Sequence, residues 1–208
     1  MRWSLPLGRV FGIALRLHFT FLLLVAFIGY QGFVARGVSG AGWAVGLVLA
    51  VFACVVLHEL GHSVVAQRLG VEVRSITLLP IGGVAALRSI PENPWHEMAI
   101  TVAGPLMNLV VAAVLLPVTG WPREFLWVHY PDDLPGLLRT LVGVNLGLFV
   151  FNFIPAFPMD GGRMLRALLA MWMSYRRATV VAATTGQAVA VLFIVAGLKF
   201  SVMWIVLG

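Results

Sequence analysis

Long apolar runs, separated by short polar or Gly- and Pro-bearing breaks, divide this chain. They cover Leu17 to Ala35, then about 42–67, 98–118, 136–157 and 178–198. A helix of about twenty apolar residues is what crosses the roughly 30 Å hydrocarbon layer of a bilayer. The pattern therefore predicts an all-α polytopic membrane protein forming a single transmembrane domain over residues 1–208, with no soluble domain. About six spans are expected. After Lys199 the sequence stays apolar to Gly208, too short to cross, so either this end lies in the interface or a sixth span is cut. Met1 to Arg16 reads as a basic lead. The run that follows it starts too late and is too long for the 7–15-residue core of a signal peptide. Val71 to Ile90 breaks the pattern, with Pro80, Gly82 and Gly83 at its centre and Val73, Ile76, Thr77, Leu78 and Val84 around them. That mixture favours strand, turn and strand, or a re-entrant element, at the membrane edge. Residues 163–174 read as a short amphipathic helix.

Composition supports lipid as the solvent. Of 208 residues, 61% are hydrophobic and 11% charged, with a mean hydropathy of +0.99, whereas soluble domains carry about 25% charged residues. The net charge of +6 does not point to nucleic acid, because the basic residues are dispersed at the ends of apolar runs. If the spans alternate, Arg2, Arg9, Arg16, Arg68, Arg74, Arg88, Arg163, Arg166, Arg176 and Arg177 share one side, and Arg36, Arg123, Arg139 and Lys199 the other. The positive-inside rule puts the first side, and the N-terminus, in the cytoplasm of a cell-membrane protein. The Trp- and Pro-rich loop at 120–135 suits the far interface. Cys54 allows no internal disulfide and reads as a packing residue. Gly42/Gly46 and Gly143/Gly147 read as sites of close helix packing.

The second run contains His58-Glu59-Leu60-Gly61-His62. Positions four apart share one helix face, so two imidazoles stand side by side with a carboxylate next to the first. Such groups are costly in hydrocarbon and are kept there for a function. A divalent metal explains all three, against the plainer reading of a polar patch joining two helices. The motif lies six to ten residues from the end of its run, roughly 10–15 Å into the membrane from the cytoplasmic side.

A catalytic zinc takes three protein ligands and keeps one position open. The chain offers only eight acidic residues. Glu59 is better placed as a base; Glu124, Asp132 and Asp133 fall on the far side, and Glu72 and Glu92 flank the β element. Asp160, in a Pro- and Gly-shaped turn after the fourth run, is the favoured third ligand. Glu97, next to His96, stays open as another, and Asp160 could instead cap the helix that follows it. Asn108 and Asn152 are polar groups within spans; they either bond neighbouring helices or donate to a carbonyl oxygen under attack. Asn145 reads as an interhelical hydrogen bonder, and His18 as an interfacial side chain.

These motifs resemble the site-2 protease family of intramembrane zinc metalloproteases. The matching residues are His58 to His62, Gly104-Pro105-Leu106-Met107-Asn108, and Asn152 through Pro155 and Pro158 to Asp160-Gly161-Gly162, with Met159 where the family usually has Leu. The compact layout, without a PDZ insertion, is similar to the branch that often carries paired CBS regulatory domains, which this chain lacks. The resemblance implies one Zn2+ per chain, held by His58, His62 and Asp160, with Glu59 as general base for an activated water. It also implies a single-span membrane protein as substrate, cut within or near its transmembrane segment. A substrate helix must be unwound first, and Val84, Ala85, Ala86 and Leu87 offer a strand on which it could pair. The alternative function is a membrane metal transporter or sensor using the same ligands. A membrane-anchored enzyme cutting soluble peptides, or an inactive scaffold, would also fit the residues less closely.

Overall fold

The first two apolar runs fold as one helical hairpin. In the computed structural model, which describes residues 3–87, 93–121 and 131–200, α1 runs from Phe19 to Arg68. Arg36 (φ −144°, ψ 21°) and Gly37 (φ 66°, ψ −153°) leave the helical conformation within it. The Gly37 angles are open to glycine and little else. The 19–35 and 38–68 arms then run antiparallel. Phe21 and Phe52 meet ring edge to face at 4.4 Å, and a Cβ placed on Gly32 would stand 2.7 Å from that of Ala44. Close packing of the arms thus relies on Gly32 and Gly40. Gly42 and Gly46, expected to supply such a contact, face open space. His18 caps the first arm, with its Nδ1 2.8 Å from the Thr20 hydroxyl.

Met1 to Arg16 is not simply a lead. Within it lies β1 (Ser4–Val10), paired antiparallel with β2 (Ile13–His18) across a tight Phe11-Gly12 turn in which both residues have positive φ. These strands join the expected pair, β3 (Val73–Leu79) and β4 (Gly82–Leu87), in one four-stranded sheet of order β1-β2-β3-β4. β2 and β3 are parallel. Parallel neighbours need a long crossover, and here the whole of α1 is that crossover. Ile13, Leu17, Val73, Ile76 and Leu78 pack with Leu60 and Ala66 of the second arm and with Ile100. The sheet is thereby fixed to the arm that carries the histidines, and β4 is left as an edge strand.

Three further apolar helices follow: α2 (Pro94–Thr119), α3 (Leu134–Asn152) and α5 (Tyr175–Phe200). Between the last two lies the short α4 (Asp160–Ala170). Asn93 and Asp133 cap α2 and α3 by accepting from Trp95 N at 2.9 Å and Gly136 N at 2.7 Å. Among the described residues, four helices are long and apolar enough to cross a membrane. Since α1 is a hairpin, the described residues hold five helical arms of roughly that length. The expected sixth span, with residues 201–208, lies outside the described residues, as do Arg2, the Arg88–Glu92 stretch and most of the Trp- and Pro-rich loop (122–130). The fourth span ends at Asn152, earlier than expected, because the chain turns through residues 153–159 before Asp160.

Candidate metal centre

His58 and His62 stand one helical turn apart on the second arm of α1, with their rings 4.7 Å apart and nearly perpendicular. Their Nε2 atoms approach to 3.1 Å. Asp160, brought in by the turn before α4, places Oδ2 3.2 Å from His58 Nε2 and 3.1 Å from His62 Nε2. All three residues are buried, at 7–8% exposure.

The hydrogen bonds behind this triangle decide what it is for. His62 Nδ1 lies 2.7 Å from the Ile100 carbonyl. A carbonyl only accepts, so Nδ1 carries the ring proton and Nε2 of the neutral imidazole presents a lone pair. On the other ring, the Asn108 amide meets His58 Nδ1 at 3.1 Å, and Asn108 Oδ1 is a buried oxygen without a partner among the described residues. Turning the amide about its last bond leaves its shape unchanged. Oδ1 then accepts from His58 Nδ1–H, which satisfies the orphan and bares His58 Nε2 as well. Two lone pairs and a carboxylate oxygen now converge within hydrogen-bond distance with no proton among them. A cation resolves that conflict. A tetrahedral zinc bonded at about 2.0–2.1 Å holds its ligands about 3.3–3.4 Å apart, close to the 3.1, 3.1 and 3.2 Å seen here. The three residues therefore form a group that fits a metal ion in donor type, charge and size.

The surroundings keep that geometry. A Cβ on Gly104 would overlap the His62 imidazole, so only glycine there lets α2 lie against the ring. Arg163 Nη1 is 3.7 Å from Asp160 Oδ1. Asp160 is not spent on capping: α4 starts from Met159 with no side-chain cap bond. Glu97, the other acidic residue left open as a ligand, is turned away. It is fully buried and bonded to Arg166 and to the Tyr175 hydroxyl. Breaking such a buried ion pair typically costs about 3–5 kcal/mol, so its role is to join helices.

A cavity of about 480 Å³ opens onto the centre, lined on one side by Glu59, Asn152 and Asp160 and on the other by Pro80, Ile81 and Gly83 of the β3–β4 turn. No described side chain hydrogen-bonds the Glu59 carboxylate. β4 packs directly over it, since a Cβ on Gly83 would lie 2.5 Å from Glu59 Cγ. Asn152 Nδ2 donates to Leu148 O at 2.9 Å, within its own helix. Asn145 likewise bonds its own helix, through Leu141 O at 2.8 Å. The structure thus brings His58, Glu59, His62, Asp160, Asn108, Asn152 and Val84 to one place. Gly104 was within a matching motif, but its role of leaving space for the His62 ring was not legible from it, and the Ile100 carbonyl carries no side-chain signal at all.

Residues 46–122 and 132–196 match Peptidase family M50. Among curated proteins, the zinc metalloprotease MJ0392 of Methanocaldococcus jannaschii is 42% identical over 201 residues, covering 95% of this chain and 55% of that protein. Rip3 of Mycobacterium tuberculosis is 35% identical over 215 residues, covering 95% of this chain and 52% of its own length. The chain therefore spans about half the length of the curated relatives it matches. Among solved structures, the site-2 protease from Methanocaldococcus jannaschii is similar, with 38% identity and a TM-score of 0.69 over 99% of this chain and 90% of that one.

Proposed function

Because this chain belongs to Peptidase family M50, the site-2 protease family, we propose that it is a zinc metalloendopeptidase acting on single-span membrane proteins, within or near their transmembrane segments. The observation that carries the reading is the convergence of His58 Nε2, His62 Nε2 and Asp160 Oδ2, with the Glu59 carboxylate beside them on one cavity. Asn108 lies fourteen residues into α2, about 21 Å along its axis, so the centre sits at mid-span depth. The charge asymmetry of the sequence separately supports an N-terminus in the cytoplasm.

His58 Nε2, His62 Nε2 and Asp160 Oδ2 would hold the ion. When bound, zinc acts as a Lewis acid that acidifies water and polarises a peptide carbonyl. The Glu59 carboxylate takes a proton from the attacking water and passes it to the departing amide nitrogen. Ile100 O and Asn108 keep the protons of both imidazoles on Nδ1. Asn152, whose amide has a second N–H beyond the one given to Leu148, is placed on the cavity to donate to the developing oxyanion.

β4 is the edge strand nearest the base, so an unwound substrate segment pairs there as an added strand, along Val84 to Leu87. Neighbouring N–H groups in a strand point to opposite sides. A proline at whichever of Ala85 and Ala86 directs its N–H away from β3 therefore spares the sheet and removes a bond offered to substrate. Cleavage of a model single-span protein by that variant should fall at least tenfold while zinc content stays at the wild-type value; undiminished cleavage would exclude the strand-pairing step. The reading as a whole is tested by stripping the purified chain with a chelator. Cleavage of the single-span protein should stop, and about one equivalent of zinc should restore it. Activity indifferent to chelation would overturn the assignment.

A further inference from the structure

One buried face of α2 carries Glu97, Ile100, Thr101, Gly104 and Asn108, at the spacing of a single helical ridge. Three of these hold the histidines in place: Ile100 through its carbonyl, Gly104 by the space it leaves, and Asn108 through its amide. Glu97 touches none of the metal-binding atoms, yet it is 0% exposed. Arg166 Nε donates to Glu97 Oε1 at 2.9 Å and Arg166 Nη2 donates to the same oxygen, while the Tyr175 hydroxyl donates to Oε2 at 3.0 Å. The guanidinium also lies 5.1 Å from the Tyr175 ring centre and 5.6 Å from that of Phe157. One carboxylate on α2 is thus tied to α4, to the start of α5 and to the segment leading into Asp160.

Asp160 needs such a tie. The histidines ride on a long helix that packs closely on α2 at Gly61, where a Cβ would overlap Ala103 and Met107. Asp160 opens an 11-residue helix with no side-chain cap, after a turn that spans residues 153–159. Arg166 stands six residues further along that same helix. We propose that the Glu97–Arg166–Tyr175 cluster is a positioning device for the third ligand, setting Asp160 Oδ2 against the two Nε2 atoms by fastening α4 to the helix that orients both imidazoles. The proposal rests on the metal reading of the site. It accounts for the choice of arginine, whose planar fork fixes direction as well as charge.

The test uses the full chain in detergent, with zinc affinity measured by chelator competition and the thermal midpoint measured with and without zinc. Arg166→Gln is expected to weaken zinc binding about 10- to 100-fold, the range for outer-shell changes at metal sites, and to shrink the rise in midpoint that zinc confers. Tyr175→Phe keeps the ion pair and should weaken zinc less. In an Asp160→Asn background no carboxylate remains to be placed, so adding Arg166→Gln should cause no further loss of the residual affinity. Equal losses in the two backgrounds would overturn the proposal. So would wild-type affinity in Arg166→Gln, with the midpoints of loaded and stripped protein lowered alike. If Arg166→Gln does not fold, Arg166→Lys and Tyr175→Phe decide the matter, and wild-type zinc affinity in both overturns it. A wild-type chain that takes up no zinc overturns the reading of the site, and the proposal with it.

Discussion

Glu59→Gln should purify with the zinc content of the wild type and cleave a single-span substrate 10²- to 10⁴-fold more slowly, the range for removing a general base. At about 1.4 kcal/mol per factor of ten, that is roughly 3–6 kcal/mol of barrier. Glu59 is not among the three groups that converge on the ion position; its carboxylate stands beside them on the cavity. Glutamine keeps the side chain's shape, so its contact with Gly83 under β4 is preserved. What it loses is the capacity to take a proton. Two readings then part. A metal transporter built on the same ligands would go on moving zinc in the variant, because its ligands are untouched. A peptidase would hold its metal and stop. Metal analysis and a cleavage assay on one preparation separate them, and cleavage within tenfold of wild type would remove Glu59 from the role of base.

The metal centre was legible in sequence for geometric reasons. A helix places positions 58 and 62 on one face whatever surrounds it, and the scarcity of acidic residues left few partners to try. The β3–β4 pair was legible from Pro80, Gly82 and Gly83 between β-branched residues. The β1–β2 pair was not. Its turn uses Phe11 at φ 51° before Gly12, where an Asn-Gly or Asp-Gly pair would have announced it, and its partner β3 lies beyond a 50-residue helical hairpin. Glycine spacing misled as well, since the G-x-x-x-G pattern at 42 and 46 says nothing of which face meets the other arm. Arg166 was grouped with the arginines that mark the cytoplasmic side, and only the fold shows it paired with Glu97. Asn108 shows the limit most clearly. A polar residue within a span implies a hydrogen bond, but composition cannot say that the bond goes to His58.

The second large effect is expected at Asp160, where asparagine separates the two roles its sequence position allowed. Asparagine caps helices about as well as aspartate, so a capping residue would accept the change with little effect on stability or activity. A ligand would not. The Asp160 oxygens face His58, His62 and Arg163 rather than the first amides of α4, and theirs is the only negative charge in the triangle. Asparagine leaves a neutral oxygen and two neutral imidazoles to compensate a doubly charged ion taken out of water, which is costly in a medium of low dielectric. Zinc affinity should fall by more than the 10- to 100-fold of an outer-shell change, roughly 10³-fold or beyond, and cleavage should fall with it. The thermal midpoint of the metal-stripped chain should stay near the wild-type value, because removing one of three converging acceptors also relieves repulsion. A variant that retains stoichiometric zinc through gel filtration would show that Asp160 does not bind the ion.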